Sequence, residues 1–288
     1  MTERNAIILA AGTASRFVPL SAECPKGLLE VNDEVVIERQ IRQLREAGVK
    51  DITIVVGYKA EMFEYLKEKY SVEIVLNEDY ARYNNTSSVI RVLDRLHNTY
   101  ICSSDNYFPR NVFVETPKES YYSALYAQGE TTEYCMKLSH NDDILDVTVG
   151  GRDAWYMIGH VFFNEVFSKY FRELMLKEYE KDETRQGYWE DVYRAHIDEL
   201  PKLKIHRYRE GEIYEFDSLD ELRQLDPSYI EDTRSKVIKS IARQLECKES
   251  VLTSFTRIKH DGNFVLFSFM RNGEHYIYDE RLKSAQKQ

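Results

Sequence analysis

Short apolar runs and helical periodicities alternate through the first hundred residues. Ala6–Ala10 is an unbroken apolar run of strand length. Apolar positions then recur at Val36, Ile37, Ile41 and Leu44, close to a helical period, and predict a helix over Val35–Ala47 with Gly48 as its C-cap. Asp51–Gly57 is β-branched and reads as a buried strand. Ala60–Tyr70 carries Phe63, Leu66 and Tyr70 on one helical face. Val72–Leu76 and Tyr100–Ser103 predict further strands, with a helix over Thr86–Leu96 between them. Such alternation implies parallel pairing with right-handed crossovers. The expected fold is α/β: a Rossmann-like, mixed but mainly parallel sheet with helices on both faces. Its ligand edge lies at the strand C-termini, and Gly12 and Asp105 both fall just beyond such ends.

The middle of the chain is more antiparallel in character. Tyr121–Ala127, Glu133–Leu138 and Trp155–Phe163 alternate and carry aromatics, and Glu165–Tyr179 and Trp189–Ile197 read as helices. Lys204–Tyr208 and Glu212–Phe216 read as a final strand pair around Arg209-Glu210-Gly211. An appendage follows Asp226-Pro227. Its amphipathic helix spans Tyr229–Leu245, with Ile230, Val237, Ile238, Ile241 and Leu245 spaced helically. Leu252–Ile258, Phe264–Met270 and His275–Tyr278, joined at Asp261-Gly262 and Asn272-Gly273, predict a three-stranded meander. Two domains result, 1–226 and 227–288.

Composition narrows the function. With 43% apolar and 31% charged residues over 288, the chain is an ordinary globular protein. A net charge of −10 argues against a nucleic-acid surface. No apolar run approaches a membrane span, and MTERNAIILAAG lacks the basic start of a signal peptide. Cys24, Cys102, Cys135 and Cys247 have neither metal nor disulfide spacing and read as reduced thiols, so the expected location is the cytoplasm.

An acidic chain that binds an anion must concentrate its cations, and the N-terminus does so. Ala6–Ala10 runs into Ala11-Gly-Thr-Ala-Ser-Arg16, and Pro25-Lys26 follows. Gly12 allows close backbone approach. The N–H groups from Gly12 to Ser15 can cradle one anionic group. Arg16 and Lys26, the latter expected to be exposed, add fixed positive charge where phosphoryl chemistry collects negative charge.

This stretch, LAAGTASRFVPLSAECPKGLLEV, resembles the signature of the sugar-nucleotide pyrophosphorylases, a nucleotidyltransferase family. Ala14 departs from it, standing where the family usually has a second glycine. The resemblance implies nucleotide binding by Leu9, Ala11, Gly12, Thr13, Ala14, Ser15 and Arg16. It implies catalysis by Arg16, Lys26 and Asp105. It also implies Mg²⁺ on Asp105, in Cys102-Ser-Ser-Asp-Asn-Tyr107, and on Asp217, in Ile213-Tyr-Glu-Phe-Asp-Ser218. The string Asn77-Glu-Asp-Tyr-Ala-Arg-Tyr-Asn-Asn-Thr-Ser-Ser88 resembles the bacterial CTP:phosphocholine cytidylyltransferases over roughly residues 5–222. By that resemblance Asn84, Asn85 and Ser88 face the cytosine or ribose.

A quaternary ammonium is recognised by aromatic faces and carboxylates. Tyr134, Tyr188, Trp189, Glu190, Asp191 and Glu215 are the candidates, with Trp189 as a cage wall. The relatives carry a tryptophan where this chain has Tyr134, which leaves a primary amine open as the headgroup. The implied reaction moves CMP from CTP to phosphocholine, with 2-aminoethylphosphonate, another phospho-alcohol or a sugar phosphate as alternative acceptors. A non-catalytic regulatory subunit of the same fold is a more distant alternative. Residues 252–278 faintly resemble the first hairpin of choline-kinase-like enzymes, without a kinase nucleotide loop or catalytic aspartate. Residues 227–288, helix plus sheet, read as a docking or homodimer surface.

Overall fold

The computed structural model describes residues 3–113, 115–261 and 264–288. The chain divides into two compact units. The first runs to Gly12 and resumes over Ile37–Tyr214; the second joins Thr13–Val36 to Glu215–Gln288. The division expected at 226/227 is therefore displaced: the segment holding Arg16 and Lys26 packs with the C-terminal residues.

In the first unit, a seven-stranded sheet is formed by β1 (Asn5–Ala10), β2 (Asp51–Val56), β3 (Glu73–Leu76), β4 (Thr99–Ser103), β5 (Tyr121–Leu138), β6 (Ile144–Phe163) and β7 (Lys204–Arg207). Its order is β7-β5-β6-β4-β1-β2-β3. The apolar run of β1 is covered on both faces and pairs in parallel with β2 and β4. β3 is parallel to β2 and β7 to β5, while β6 runs antiparallel to both β4 and β5. The mixed, mainly parallel Rossmann-like sheet is as expected. Helices α1 (Val36–Glu46), α2 (Thr86–Ile90), α3 (Glu165–Glu178) and α4 (Trp189–Ala195) accompany it. One core joins Ile7, Val55, Val89, Ile101, Phe163, Phe171, Trp189 and Tyr193.

Three expectations are corrected here. The helix over Thr86–Leu96 stops at Ile90, and a separate 3₁₀ turn forms over Leu93–Arg95. The three middle segments make one long hairpin whose register shifts repeatedly, with Gly129 and Gly150 at positive φ. Lys204–Arg207 joins the main sheet beside β5 instead of pairing with Glu212–Phe216.

In the second unit, α5 (Leu219–Leu225) and α6 (Lys236–Gln244) accompany β8 (Leu252–Asp261), β9 (Phe264–Arg271), β10 (Glu274–Asp279) and β11 (Ser284–Lys287). The strands form an antiparallel sheet in sequence order, so the expected meander gains a fourth strand. Asn272-Gly273 turns as expected, with both residues at positive φ. The expected turn at Asp261-Gly262 falls at Gly262, which lies outside the described residues. The long helix expected over Tyr229–Leu245 is broken: Arg234 has φ 60° and Ser235 starts α6, accepting a hydrogen bond from the N–H of Ile238. Phe255, Phe269 and Tyr276 stack across the sheet.

Candidate active site

The second unit gathers the signature cations around one carboxylate. Phe17 N–H donates to Ala14 O at 2.9 Å and closes a turn that leaves Arg16 exposed. Lys26 starts a 3₁₀ turn behind Pro25. It is 6% exposed, not exposed as expected, because its stem lies by Phe216 with Nζ 5.2 Å from the ring centroid. Phe17 holds that ring edge-on at 5.7 Å. Lys26 Nζ donates to Asp217 Oδ1 at 2.8 Å, and Arg16 Nη2 reaches Asp217 Oδ2 at 2.6 Å. Asp217 thus stands where an anion belongs, between the two cations assigned to phosphate. Ala14 has φ 45°, the left-handed region that favours glycine. The family's second glycine has a backbone reason, and this chain places a methyl group there against it.

Two carboxylates of this unit lie together. Glu215 and Asp217 each offer an oxygen within 4.8 Å of the other. Glu215 was expected beside a cationic headgroup; its neighbour is Asp217. Hard oxygens of this kind suit Mg²⁺.

In the first unit, Leu9 and Ala11 hold the strand end. Leu9 O accepts from Ser104 N–H and Ala11 O from Tyr58 N–H, both at 3.1 Å. A Cβ built on Gly12 would meet no atom within 4 Å, so the space beside it is open. Asp105 follows β4 and is half-buried.

The candidate nucleoside loop is clasped to the segment before α4. Asn85 Oδ1 accepts from Trp189 N–H at 2.8 Å, and Asn85 Nδ2 donates to Glu190 Oε2 at 3.2 Å. Thr86 Oγ1 donates to the carbonyls of Thr184 and Gly187, and Asn84 N–H donates to Arg185 O. Asn84 Oδ1 accepts from Asn85 N–H at 2.8 Å. Ser88 is 3% exposed and accepts from Asn77 Nδ2. Asn85 and Ser88, expected at the base, here bond to the protein itself, Ser88 from a buried position and Asn85 from a half-buried one.

Trp189 is corrected as well. It is 2% exposed, stacked on Tyr122 at 5.8 Å and 15°, with Phe163 and Phe171 edge-on. It is a core residue and shows no ring face to a ligand. The groups that do come together are Tyr134, Tyr188 and Asp191. Tyr134 OH donates to Asp191 Oδ1 at 2.9 Å, and Tyr188 N–H donates to Asp191 Oδ2 at 3.1 Å. Tyr188 is 47% exposed. Arg194 Nη2 reaches Asp191 Oδ1 at 3.3 Å. Next to this cluster Glu190 accepts from Asn85 and from Tyr122 OH. Burial raises its pKa from 4.5 to about 7, assisted by the Asp191 charge, although both hydrogen bonds oppose the shift. Burial and then the Asp191 carboxylate likewise push the Tyr134 phenol up.

Sequence reading missed Tyr122 and Arg194 as partners of this cluster. Arg194 had a usable signal, lying three residues after Asp191 on one helix. Tyr122 had none, since its link to Glu190 spans the hairpin and α4.

A strand-end glycine loop on a mainly parallel sheet defines a class, and comparison fixes it: residues 6–127 match the MobA-like NTP transferase domain. The chain belongs to the nucleotidyltransferases and is an enzyme of that family. It is 35% identical over 222 residues to choline-phosphate cytidylyltransferase of Streptococcus pneumoniae (strain ATCC BAA-255 / R6), covering 77% of this chain and 96% of that one. It is 36% identical over 235 residues to 2-aminoethylphosphonate cytidylyltransferase of Lancefieldella rimae, covering 80% and 95%. The solved CTP:phosphocholine cytidylyltransferase of Streptococcus pneumoniae superposes with a TM-score of 0.75 at 34% identity, over 78% of this chain and 99% of that one. Nucleotidyltransferases of this kind generally use a divalent metal. Among the described residues no helix is long and apolar enough to cross a membrane.

Proposed function

We propose that this chain transfers CMP from CTP to phosphocholine, giving CDP-choline and pyrophosphate. The observation that carries the reading is the Tyr134–Tyr188–Asp191 cluster: a carboxylate bonded by the Tyr134 hydroxyl and the Tyr188 backbone, with the Tyr188 side chain exposed beside it, on a chain that keeps both Arg16 and Lys26. An exposed tyrosine face and a carboxylate are what a small organic cation needs. The acceptor phosphate is ionised at neutral pH, so its oxygen attacks the α-phosphorus without a general base. Catalysis is then alignment and charge stabilisation. Arg16 holds the leaving pyrophosphate, and Lys26 bridges the acceptor phosphate and the α-phosphate. In doing so both exchange the Asp217 carboxylate for phosphate oxygens. Leu9, Ala11 and Gly12 to Ser15 line the nucleotide, and Asn84 is the remaining side chain proposed for the base. Mg²⁺ is the proposed ion, with Asp105 and Asp217 as its proposed ligands; it supplies charge neutralisation when bound. The proposed location is the cytoplasm, and self-association through residues 227–288 is read out by sedimentation.

A second reading, 2-aminoethylphosphonate as acceptor, is favoured by one observation. Asp191 is bonded by Tyr134 where a tryptophan was expected in the relatives, which shifts the cluster from ring face toward carboxylate. The test is pyrophosphate release with each of four nucleotides, with and without Mg²⁺, against phosphocholine, phosphoethanolamine, 2-aminoethylphosphonate and a sugar phosphate. Fastest turnover of CTP with phosphocholine is expected. A preference for the phosphonate selects the second reading, and turnover of the sugar phosphate alone removes both.

A further inference from the structure

We infer that Glu23 is a positioning residue for the phosphate-gripping segment, and that the C-terminal extension is the scaffold to which Glu23 fastens it. The inference rests on the reading that Arg16 and Lys26 hold polyphosphate. Thr13–Val36 contains only short pieces of regular structure: a helical turn over Leu20–Glu23, the 3₁₀ turn at Lys26, and the two-residue strands Glu30–Val31 and Glu34–Val35. Elements this short do not hold a geometry alone. Yet the charges they carry act only when placed to within a fraction of an ångström.

The fixed geometry comes from residues more than 190 positions away in the chain. The Glu23 carboxylate accepts from the Ser235 hydroxyl, from Lys236 N–H at 2.9 Å and from Val237 N–H at 3.1 Å. Those are donors at the start of α6, which has no earlier turn to satisfy them, and the helix dipole favours a carboxylate there. Beyond Lys26 a second set of bonds returns to the same extension. Tyr229 OH donates to Glu30 O at 2.7 Å, and Asn32 N–H donates to Asp226 Oδ2 at 2.9 Å. Lys26 is thus fastened on both sides, three residues after one anchor and four before the next. Ser235, Asp226 and Tyr229, which make these bonds, are themselves buried. The extension therefore has a task in the reaction: it fixes the segment on which the phosphate cations ride.

The sign of the expected effect separates positioning from electrostatics. Glu23→Ala removes a negative charge from the segment, and by charge alone it would tighten the binding of a polyanion. A positioning residue gives the opposite result. Binding of inorganic tripolyphosphate, followed by titration calorimetry on the full chain, should weaken about tenfold in Glu23→Ala. The KM for CTP should rise by a similar factor. Glu23→Gln, which keeps a carbonyl acceptor, should fall between that variant and the wild type. Tyr229→Phe loosens the second anchor and should weaken tripolyphosphate in the same direction; it serves as the test if Glu23→Ala does not fold. Tripolyphosphate binding equal to or tighter than wild type in folded Glu23→Ala and Tyr229→Phe overturns the inference and leaves the proposed reaction standing. A wild type that binds tripolyphosphate in this Glu23-dependent way, yet releases no pyrophosphate with any pair tried, supports the inference and removes the proposed reaction.

Discussion

The segment carrying Arg16 and Lys26 and the Asn85–Glu190 clasp both gather charge around a carboxylate, under opposite conditions. In the segment, Asp217 is a third exposed and is met by two full positive charges. In the clasp, Glu190 is met by an amide, a phenol and a backbone N–H, with the like charge of Asp191 beside it. The first arrangement invites exchange: a phosphate group can replace the carboxylate on Arg16 and Lys26 with no buried charge left unpaired. The second resists exchange, because removing either donor leaves a buried oxygen unsatisfied. On the proposed reading, the first region exchanges its carboxylate for substrate and the second stays as it is. Four substitutions break or sharpen that contrast.

The largest effect belongs to the clasp side. Trp189→Ala opens a cavity among Tyr122, Phe163 and Phe171, and should cost about 3–5 kcal/mol of stability. Urea unfolding measures it. A variant of native stability with a selective loss of acceptor affinity would return Trp189 to the headgroup site.

On the segment side, Lys26→Ala should leave Asp217 with Arg16 alone and lower kcat by about 10²-fold or more, the scale of one lost preorganised charge. Because Lys26 is buried beside Phe216, a modest fall in Tm should accompany it. Near-normal turnover in the folded variant takes Lys26 out of the reaction.

The same contrast explains how much could be read from the sequence. The segment was legible because its chemistry is local: Gly12, Arg16, Pro25 and Lys26 hold a fixed spacing along fifteen residues. The parallel strands were legible too, since β1 and β2 are covered on both faces and read as apolar runs. The clasp was not. Asn85 and Trp189 meet across 104 positions, and nothing in Tyr-Trp-Glu-Asp says which ring turns inward. An aromatic next to two acids suggests a cation cage and equally suggests a buried helix start with a capping box, which is what Tyr188 and Asp191 form. Burial decided between them, and burial is a property of the assembled sheet. The domain boundary failed for a similar reason. Glu23 and Glu30 carry no sign in sequence that their partners lie near residue 230.

The third substitution tests the clasp by pH. Glu190 has its pKa raised from 4.5 to about 7 in the folded protein, so between those values the native state holds more protons than the unfolded state. Stability therefore falls as pH rises through that window and is level above it, a loss of roughly 2–3 kcal/mol for a carboxylate this buried. Glu190→Gln removes the titrating group while keeping one acceptor and one donor for Asn85 and Tyr122. Its unfolding free energy should lose that downward slope between about pH 4.5 and 7. An unchanged slope would show that Glu190 is ionised throughout.

The smallest effect returns to the segment. Ala14 holds φ 45°, a conformation that costs a residue with a Cβ roughly 1 kcal/mol relative to glycine. Ala14→Gly removes that strain and also frees the unfolded chain, which offsets roughly half of the gain. The net change in stability should thus be a few tenths of a kcal/mol, near the limit of a denaturant titration. The nucleotide should report the change more clearly. Where the methyl group narrows the approach to the loop, glycine lets the backbone close on phosphate, and the KM for CTP should fall severalfold with the acceptor KM unchanged. A rise in the KM for CTP would mean that Ala14 stiffens the loop usefully, and that the departure from the family's glycine helps this chain hold its segment.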